Sequence, residues 1–198
     1  MEGIHEETEL FMFAGHDTTT TTLCYTLGFV TENPEIYHKC LDEIDNVLGS
    51  ATRPTMDMLR DLKYLEACIK ESLRLRPPSP EWFRTKPDGG HLTIKQTQHY
   101  IDPSAPIFNV THIIQTDPTH FVEPEKYHPE RFMMSDKKRH PFSFIPFSAG
   151  ARNCIGQKFA MVEIKVVMVM LLRSFKFKPK QVRLDAHYPC SNYNSEHL

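Results

Sequence analysis

The sequence predicts a mainly α-helical fold with a minor β-sheet. Three observations carry this. Apolar residues recur at helical spacing in four long stretches, prolines and glycines punctuate the ends of those stretches, and strand-like alternation is confined to short runs between Arg84 and Ile114. The 198 residues suffice for one sizeable domain, which buries roughly 70% of its unfolded surface. At 40% hydrophobic and 24% charged the composition is that of an ordinary folded chain, neither fibrous nor disordered.

Residues 5 to 32 read as the first helix. It holds five successive threonines, Thr18 to Thr22. These β-branched residues are poor helix formers, and their hydroxyls can bond back to the preceding turn, so strain is expected there. Asn33-Pro34 reads as an N-cap and N1 proline for a second helix, with Ile36, Cys40, Ile44 and Val47 on its buried face and Gly49 at its end. Thr55 is expected to cap a short helical turn. A stronger helix runs from Tyr64 to Arg76, with Leu65, Ile69 and Leu73 on one face, and Pro77-Pro78 stops it. "HLTI" and "APIFNV" read as strands. Residues 117 to 146, rich in proline and charge, read as ordered loop with helical turns. The last helix is expected from Cys154 to Arg173, followed by "FKFKP" as an edge strand and a loose tail after Arg183.

The net charge of −2 gives no pull toward nucleic acid, and Lys137-Lys138-Arg139 reads as a solvated loop. Five cysteines with no C-x-x-C fit neither a disulfide framework nor a zinc site and point to a reducing compartment. The acidic, polar start is wrong for a signal peptide. The most apolar stretch, "FAMVEIKVVMVMLL", is interrupted by Glu163 and Lys165 and is shorter than the ~18 residues of a membrane span.

"FSAGARNCIG", Phe147 to Gly156, carries the chemistry. Taken alone, Cys154 reads first as a buried, inert cysteine at a helix start. Its surroundings change that reading. Free N–H groups at a helix N-terminus favour thiolate over thiol. Gly150 and Gly156 let a flat ligand approach, Arg152 offers a fork for a carboxylate, and Phe147 can shield the sulfur. A thiolate, a shield and a carboxylate clamp suit a haem, with its iron and two propionates.

The pattern Phe147-x-x-Gly150-x-Arg152-x-Cys154-x-Gly156 resembles the haem-binding loop of the cytochrome P-450 monooxygenases, and the longer run from His140 to Lys165 is most similar to their family 4 branch. The resemblance assigns Cys154 as the axial thiolate ligand of haem b (iron protoporphyrin IX), with Arg152, Phe147 and Gly156 as further haem-binding residues. Three more motifs follow the family's order. "AGHDTT", Ala14 to Thr19, otherwise a plain polar helix segment, resembles the oxygen-activating stretch. There Asp17 and Thr18 take the catalytic role of delivering protons for O–O cleavage. His16 has no partner histidine one turn away to make a metal pair. Glu71-x-x-Arg74, commonplace by itself, resembles the family's buried pair that joins the arginine of "PERF", Pro129 to Phe132, and locks the loop leading to Cys154. Arg84, otherwise a surface strand arginine, matches by position an arginine that contacts a haem propionate.

What the resemblance implies is the C-terminal part of the cytochrome P-450 fold over residues 1–198, from the distal helix through the cysteine loop and last helix. The family's N-terminal half and membrane anchor are expected to be absent. The implied activity is insertion of one oxygen atom of O₂ into a small apolar substrate, with fatty-acid hydroxylation suggested by the branch. A truncated, non-catalytic fragment is the alternative. A haem-thiolate isomerase is a third reading, against which the Asp17-Thr18 pair argues. Electrons come from NADPH through a separate reductase, since no nucleotide-binding glycine pattern occurs, and cytochrome b5 is a further implied partner. The full-length parent is expected on the cytosolic face of the endoplasmic reticulum membrane. Two local departures matter. Ala14 replaces the glutamate that links covalently to haem in many family 4 members, so non-covalent haem is expected. "IDPSAPIF", Ile101 to Phe108, lacks the glycine of the family's usual turn, so altered strand pairing is expected there.

Overall fold

A computed structural model describes residues 2–86, 88–94, 96–133 and 139–178. Lys137-Lys138 and the tail after Arg183 lie outside them. Among the described residues, six helices and four short strands follow in order: α1 (Glu2–Glu32), α2 (Pro34–Leu48), α3 (Met56–Asp61), α4 (Lys63–Leu75), β1 (Glu81–Arg84), β2 (Gly90–Ile94), β3 (Thr97–Ile101), β4 (Ile107–Val110), α5 (Thr111–Gln115) and α6 (Gln157–Ser174). Two 3₁₀ turns, Pro129–Phe132 and Pro141–Ser143, punctuate the long segment before α6.

The core forms where α1, α2, α4 and α6 meet. α2 contributes Cys40, Ile44 and Leu48, α4 contributes Leu65, Cys68, Ile69 and Leu73, and α6 contributes Ile164, Met168, Val169 and Leu172. These spacings of three and four residues are the helical stripes the sequence shows. In α1 only the second half takes part. Thr19, Thr22, Thr26 and Val30 form a buried stripe, whereas residues 3–18 are exposed. The threonines tolerate burial because they bond backward as expected, Thr19 Oγ1 to the Gly15 carbonyl at 2.6 Å and Thr22 Oγ1 to the Thr18 carbonyl at 2.8 Å. α6 also buries a cation. Lys165, 6% exposed, donates to the Leu59 carbonyl at 2.9 Å and to Glu66 Oε2 at 2.6 Å, tying α6 to α3 and α4.

Several helix ends match expectation. Thr55 Oγ1 accepts from the Met58 N–H, and Gly49 closes α2 at φ +52°, a conformation that favours glycine. Asn33 does not cap α2 with its side chain. Its Nδ2 donates to the Phe29 carbonyl at 2.7 Å, satisfying the end of α1 instead. The last helix begins at Gln157, three residues later than expected, because Ile155 and Gly156 form a turn with Gly156 at the N-cap. Phe175 to Lys178 form no strand.

The β structure is two antiparallel ribbons rather than one sheet. β1 pairs with β4, setting Trp82 opposite Asn109 and Arg84 opposite Ile107, and β2 pairs with β3. "HLTI" lies within β2, and "APIFNV" contains β4. Their partners, "EWFR" and "TQHYI", lack apolar alternation and were not legible as strands. The segment Ile101 to Phe108 turns through Asp102, whose carboxylate accepts from the Ser104 N–H at 2.8 Å, and delivers β4 into regular register with β1.

Candidate functional site

The loop from Phe147 to Gly156 is a closed structure. The Cys154 N–H donates to the Phe147 carbonyl at 2.9 Å, and the Asn153 N–H to the Gly150 carbonyl at 3.1 Å. The backbone supplies the reversal at two left-handed residues, Ser148 at φ +61° and Gly150 at φ +82°. Glycine adopts this conformation freely. Serine does so at a cost, and such strain gathers at functional loops. The result puts Cys154 on the outside. Its side chain is exposed, so it is not the inert core cysteine that the residue alone suggests. It precedes α6 instead of opening it.

The space around the sulfur is bare. A Cβ at Gly156 would lie 3.8 Å from Cys154 Sγ, and a Cβ at Gly150 would meet nothing within 4 Å. Arg152 is exposed at the loop tip, and Phe147 is half-buried, its ring packed on the core. On α1, Ala14, Gly15, Asp17 and Thr18 are all exposed, and Gly15 also opens on empty space. Thr18 Oγ1 donates to the Ala14 carbonyl at 2.8 Å. α1 packs along α6, so the helix bearing this motif and the loop bearing Cys154 are held on one scaffold.

A buried ion-pair network sits behind the loop. Glu71, 0% exposed, accepts from Arg74 Nε at Oε2 and from Arg74 Nη2 at Oε1, both at 2.8 Å. Its Oε1 also accepts from Arg131 Nε and from the His128 N–H, both at 2.9 Å. The Glu71–Arg74 pair and the "PERF" arginine therefore meet as the motif order implied. Arg74 further donates to the Gln115 and Lys126 carbonyls, and its guanidinium lies 5.0 Å from the Phe121 ring centroid.

Gln115 is the residue that sequence reasoning missed. Fully buried at the end of α5, it donates from Nε2 to the Leu73 and Arg74 carbonyls and accepts the Ile145 N–H at 2.9 Å through Oε1. Ile145 in turn accepts the Ser148 N–H. A continuous chain of hydrogen bonds thus runs from the Glu71 network to the start of the cysteine loop. A glutamine ending a five-residue helix carries no motif, so no sequence signal pointed to it.

Arg84 and Trp82 share the inward face of β1 as alternate residues must. The Arg84 guanidinium lies over the Trp82 ring, 4.6 Å from its centroid, and among the described residues it bonds only to its own strand, at the Phe83 carbonyl. Beside it the Trp82 indole N–H is buried with no hydrogen-bond partner among the described residues. An orphaned donor next to a cation is a pair waiting for an anion. A carboxylate such as a propionate is an anion of that kind, and the exposed thiol of Cys154 is a donor of the kind that holds iron. By donor chemistry these residues are compatible with a haem.

Behind the loop, a groove of about 610 Å³ runs between α3, α4, the segment Phe144–Ser148 and α6. Arg60, Lys63, Lys70, Lys158 and Lys165 line it, against a single acid, Glu66. Burial raises the Glu66 pKa, but hydrogen bonds from Lys165 and Lys70 outweigh that and hold it down at about 2. Among the described residues no helix is long and apolar enough to cross a membrane.

Residues 1–189 match the family described as Cytochrome P450. Among curated proteins, the chain is 41% identical over 188 residues to cytochrome P450 4V2 of Mus musculus and of Homo sapiens, covering 92% of this chain and 34% of each. It is 40% identical over 191 residues to cytochrome P450 4c3 of Drosophila melanogaster, covering 93% of this chain and 34% of that protein. The chain thus spans about a third of the length of the curated relatives it matches, with 34% of each covered.

Proposed function

The chain belongs to the cytochrome P450 family, and from that premise we propose that it is the cysteine-bearing part of a haem-thiolate monooxygenase. The reaction is insertion of one atom of O₂ into an apolar substrate, the other atom leaving as water. The observation that carries the reading is Cys154: an exposed thiol on a hydrogen-bonded loop, with bare glycine flanks and an independent network bracing the loop from behind.

Cys154 Sγ would hold the iron as a thiolate. Arg84, the Trp82 indole N–H and Arg152 would take the propionates, and Phe147 would keep water from the sulfur. Bound haem supplies the oxygen activation, fed by electrons from NADPH through a separate reductase, with cytochrome b5 as a second donor. The chain's own residues supply room and protons. Ala14 and Gly15 leave the flank of α1 open. Thr18 Oγ1 can swing from the Ala14 carbonyl toward that opening, carrying a proton that Asp17 draws from solvent. Ala14 offers no carboxylate for a covalent link, so the cofactor is held by these contacts alone.

Likeness to family 4 relatives supports a fatty-acid substrate and an endoplasmic reticulum location for the whole protein. For the reductase, the exposed cations Arg60, Lys63 and Lys158 line the groove behind the cysteine loop and complement an acidic donor, whereas Lys70 and Lys165 are already held by Glu66. A second reading is a haem-binding chain without turnover. It is favoured by the exposure of Cys154, Ala14 and Gly15, which leaves the residues that would face the cofactor open to water.

The test is spectral first and catalytic second. The chain is loaded with haem, reduced and exposed to carbon monoxide. Thiolate ligation gives a strongly red-shifted Soret band that Cys154→Ser abolishes, and a band that survives that change refutes the assignment. Turnover of a fatty acid with NADPH and reductase then separates the monooxygenase from the inactive haem binder.

A further inference from the structure

Two cysteines unrelated to the haem reading face each other in the core. Cys40 on α2 and Cys68 on α4 are both 0% exposed, and their sulfurs are 3.6 Å apart. As a hydrogen bond this contact is weak, since S–H is a poor donor and sulfur a poor acceptor. Its chemical meaning lies in the distance: bonded sulfurs are only about 1.5 Å closer.

The register of the two helices sets this meeting. Glu43, one turn after Cys40, accepts the Tyr64 N–H at 2.6 Å and the Leu65 N–H at 2.8 Å, and so caps α4 from α2. Cys68 lies one turn beyond those donors. The capping carboxylate therefore aligns α2 on α4 with the thiols opposite. Burial and the neighbouring Cys40 push the Cys68 thiol well above its ordinary pKa, and with both sulfurs fully buried a peroxide cannot reach the closed pair. Reaction needs a brief parting of α2 from α4, after which reclosure returns the sulfurs to contact.

We propose that Cys40 and Cys68 are a latent cross-linking site, which a peroxide converts into a disulfide that staples α2 to α4. One thiolate attacks hydrogen peroxide, the O–O bond breaks, and a sulfenic acid forms while hydroxide takes up the thiol's proton as water. The second thiol then attacks the sulfenyl sulfur, the S–O bond breaks, and a second water leaves. Two electrons pass from the two sulfurs to one peroxide. The bond closes a loop across α3 and fixes the helix that carries Glu71 and Arg74. The oxidised chain is accordingly harder to unfold, and a reductant reverses the change.

The experiment uses the full chain with Cys24, Cys154 and Cys190 changed to Ser, so that it reads independently of haem binding. The chain is treated with hydrogen peroxide, alkylated, digested without reduction and analysed by mass spectrometry. The expected result is a joined peptide containing Cys40 and Cys68, two hydrogens lighter than its parts. The thermal midpoint rises by several degrees and falls back with dithiothreitol. Introducing Cys68→Ala removes both the peptide and the rise. The wild-type chain treated in parallel gives the same joined peptide. Recovery of Cys40 and Cys68 as free thiols, or as separate sulfinic acids, overturns the proposal, whatever the haem spectra show.

Discussion

Glu71 offers the sharpest perturbation of the scaffold. Its carboxylate accepts four hydrogen bonds, three from guanidinium groups and one from the His128 N–H, all at 2.8–2.9 Å. Changing Glu71→Ala leaves Arg74, fully buried, and Arg131, 10% exposed, without their anion. Breaking one side of such a pair costs about 3–5 kcal/mol, because the remaining charge cannot return to water. Arg74 keeps the Gln115 and Lys126 carbonyls and Arg131 keeps that of Val122, which sets the expectation near the lower end, about 3 kcal/mol. Against a typical total of about 5–15 kcal/mol, that is a large share. Urea unfolding followed by far-UV circular dichroism measures it. Glu35→Gln is the control, since its carboxylate is 83% exposed and pairs with Lys39, and a change within about 0.5 kcal/mol is expected. A loss below about 1 kcal/mol for Glu71→Ala, with the control unchanged, refutes the claim that this network holds the scaffold.

The remaining predictions concern the parts that hold the loop. Glu66 has its folded pKa depressed to about 2 from the ordinary 4.5, so its contribution is full above pH 4.5 and is lost as pH falls toward 2. Stability of Glu66→Gln is therefore expected to vary less across that window than the wild type, as acid unfolding curves would show. Gln115→Ala orphans the Ile145 N–H and is expected to cost about 1–3 kcal/mol. It should also speed haem loss in a transfer assay without moving the Soret band, and an unchanged loss rate would separate Gln115 from the loop. Gly150→Ala forces a side chain into φ +82° with open space around it, so backbone strain alone should cost about 1–2 kcal/mol in denaturant unfolding.

What was readable in advance follows from where each signal resides. The helices were legible because each buries one stripe of its own residues, as Leu65, Ile69 and Leu73 do in α4. Thr55 and Gly49 were legible because capping is local chemistry. The meeting of Glu71, Arg74 and Arg131 came only through motif order, since 60 residues separate Glu71 from Arg131 and nothing local links them. The same distance hid Gln115, whose partners at residues 73, 74 and 145 lie 30 or more positions away. β1 was hidden because its Trp82–Arg84 face is made by stacking, which leaves no alternation of apolar and polar residues. Asn33 misled because its side chain can serve either of the two helices it separates, and it serves the earlier one.

Iron K-edge absorption on the haem-loaded chain tests the central claim most directly. One sulfur neighbour of the iron is expected in the wild type, retained in Cys24→Ser, where the other exposed cysteine among the described residues is removed, and lost in Cys154→Ser. An iron bound only by nitrogen and oxygen in the wild type, or a sulfur neighbour that persists without Cys154, contradicts the account.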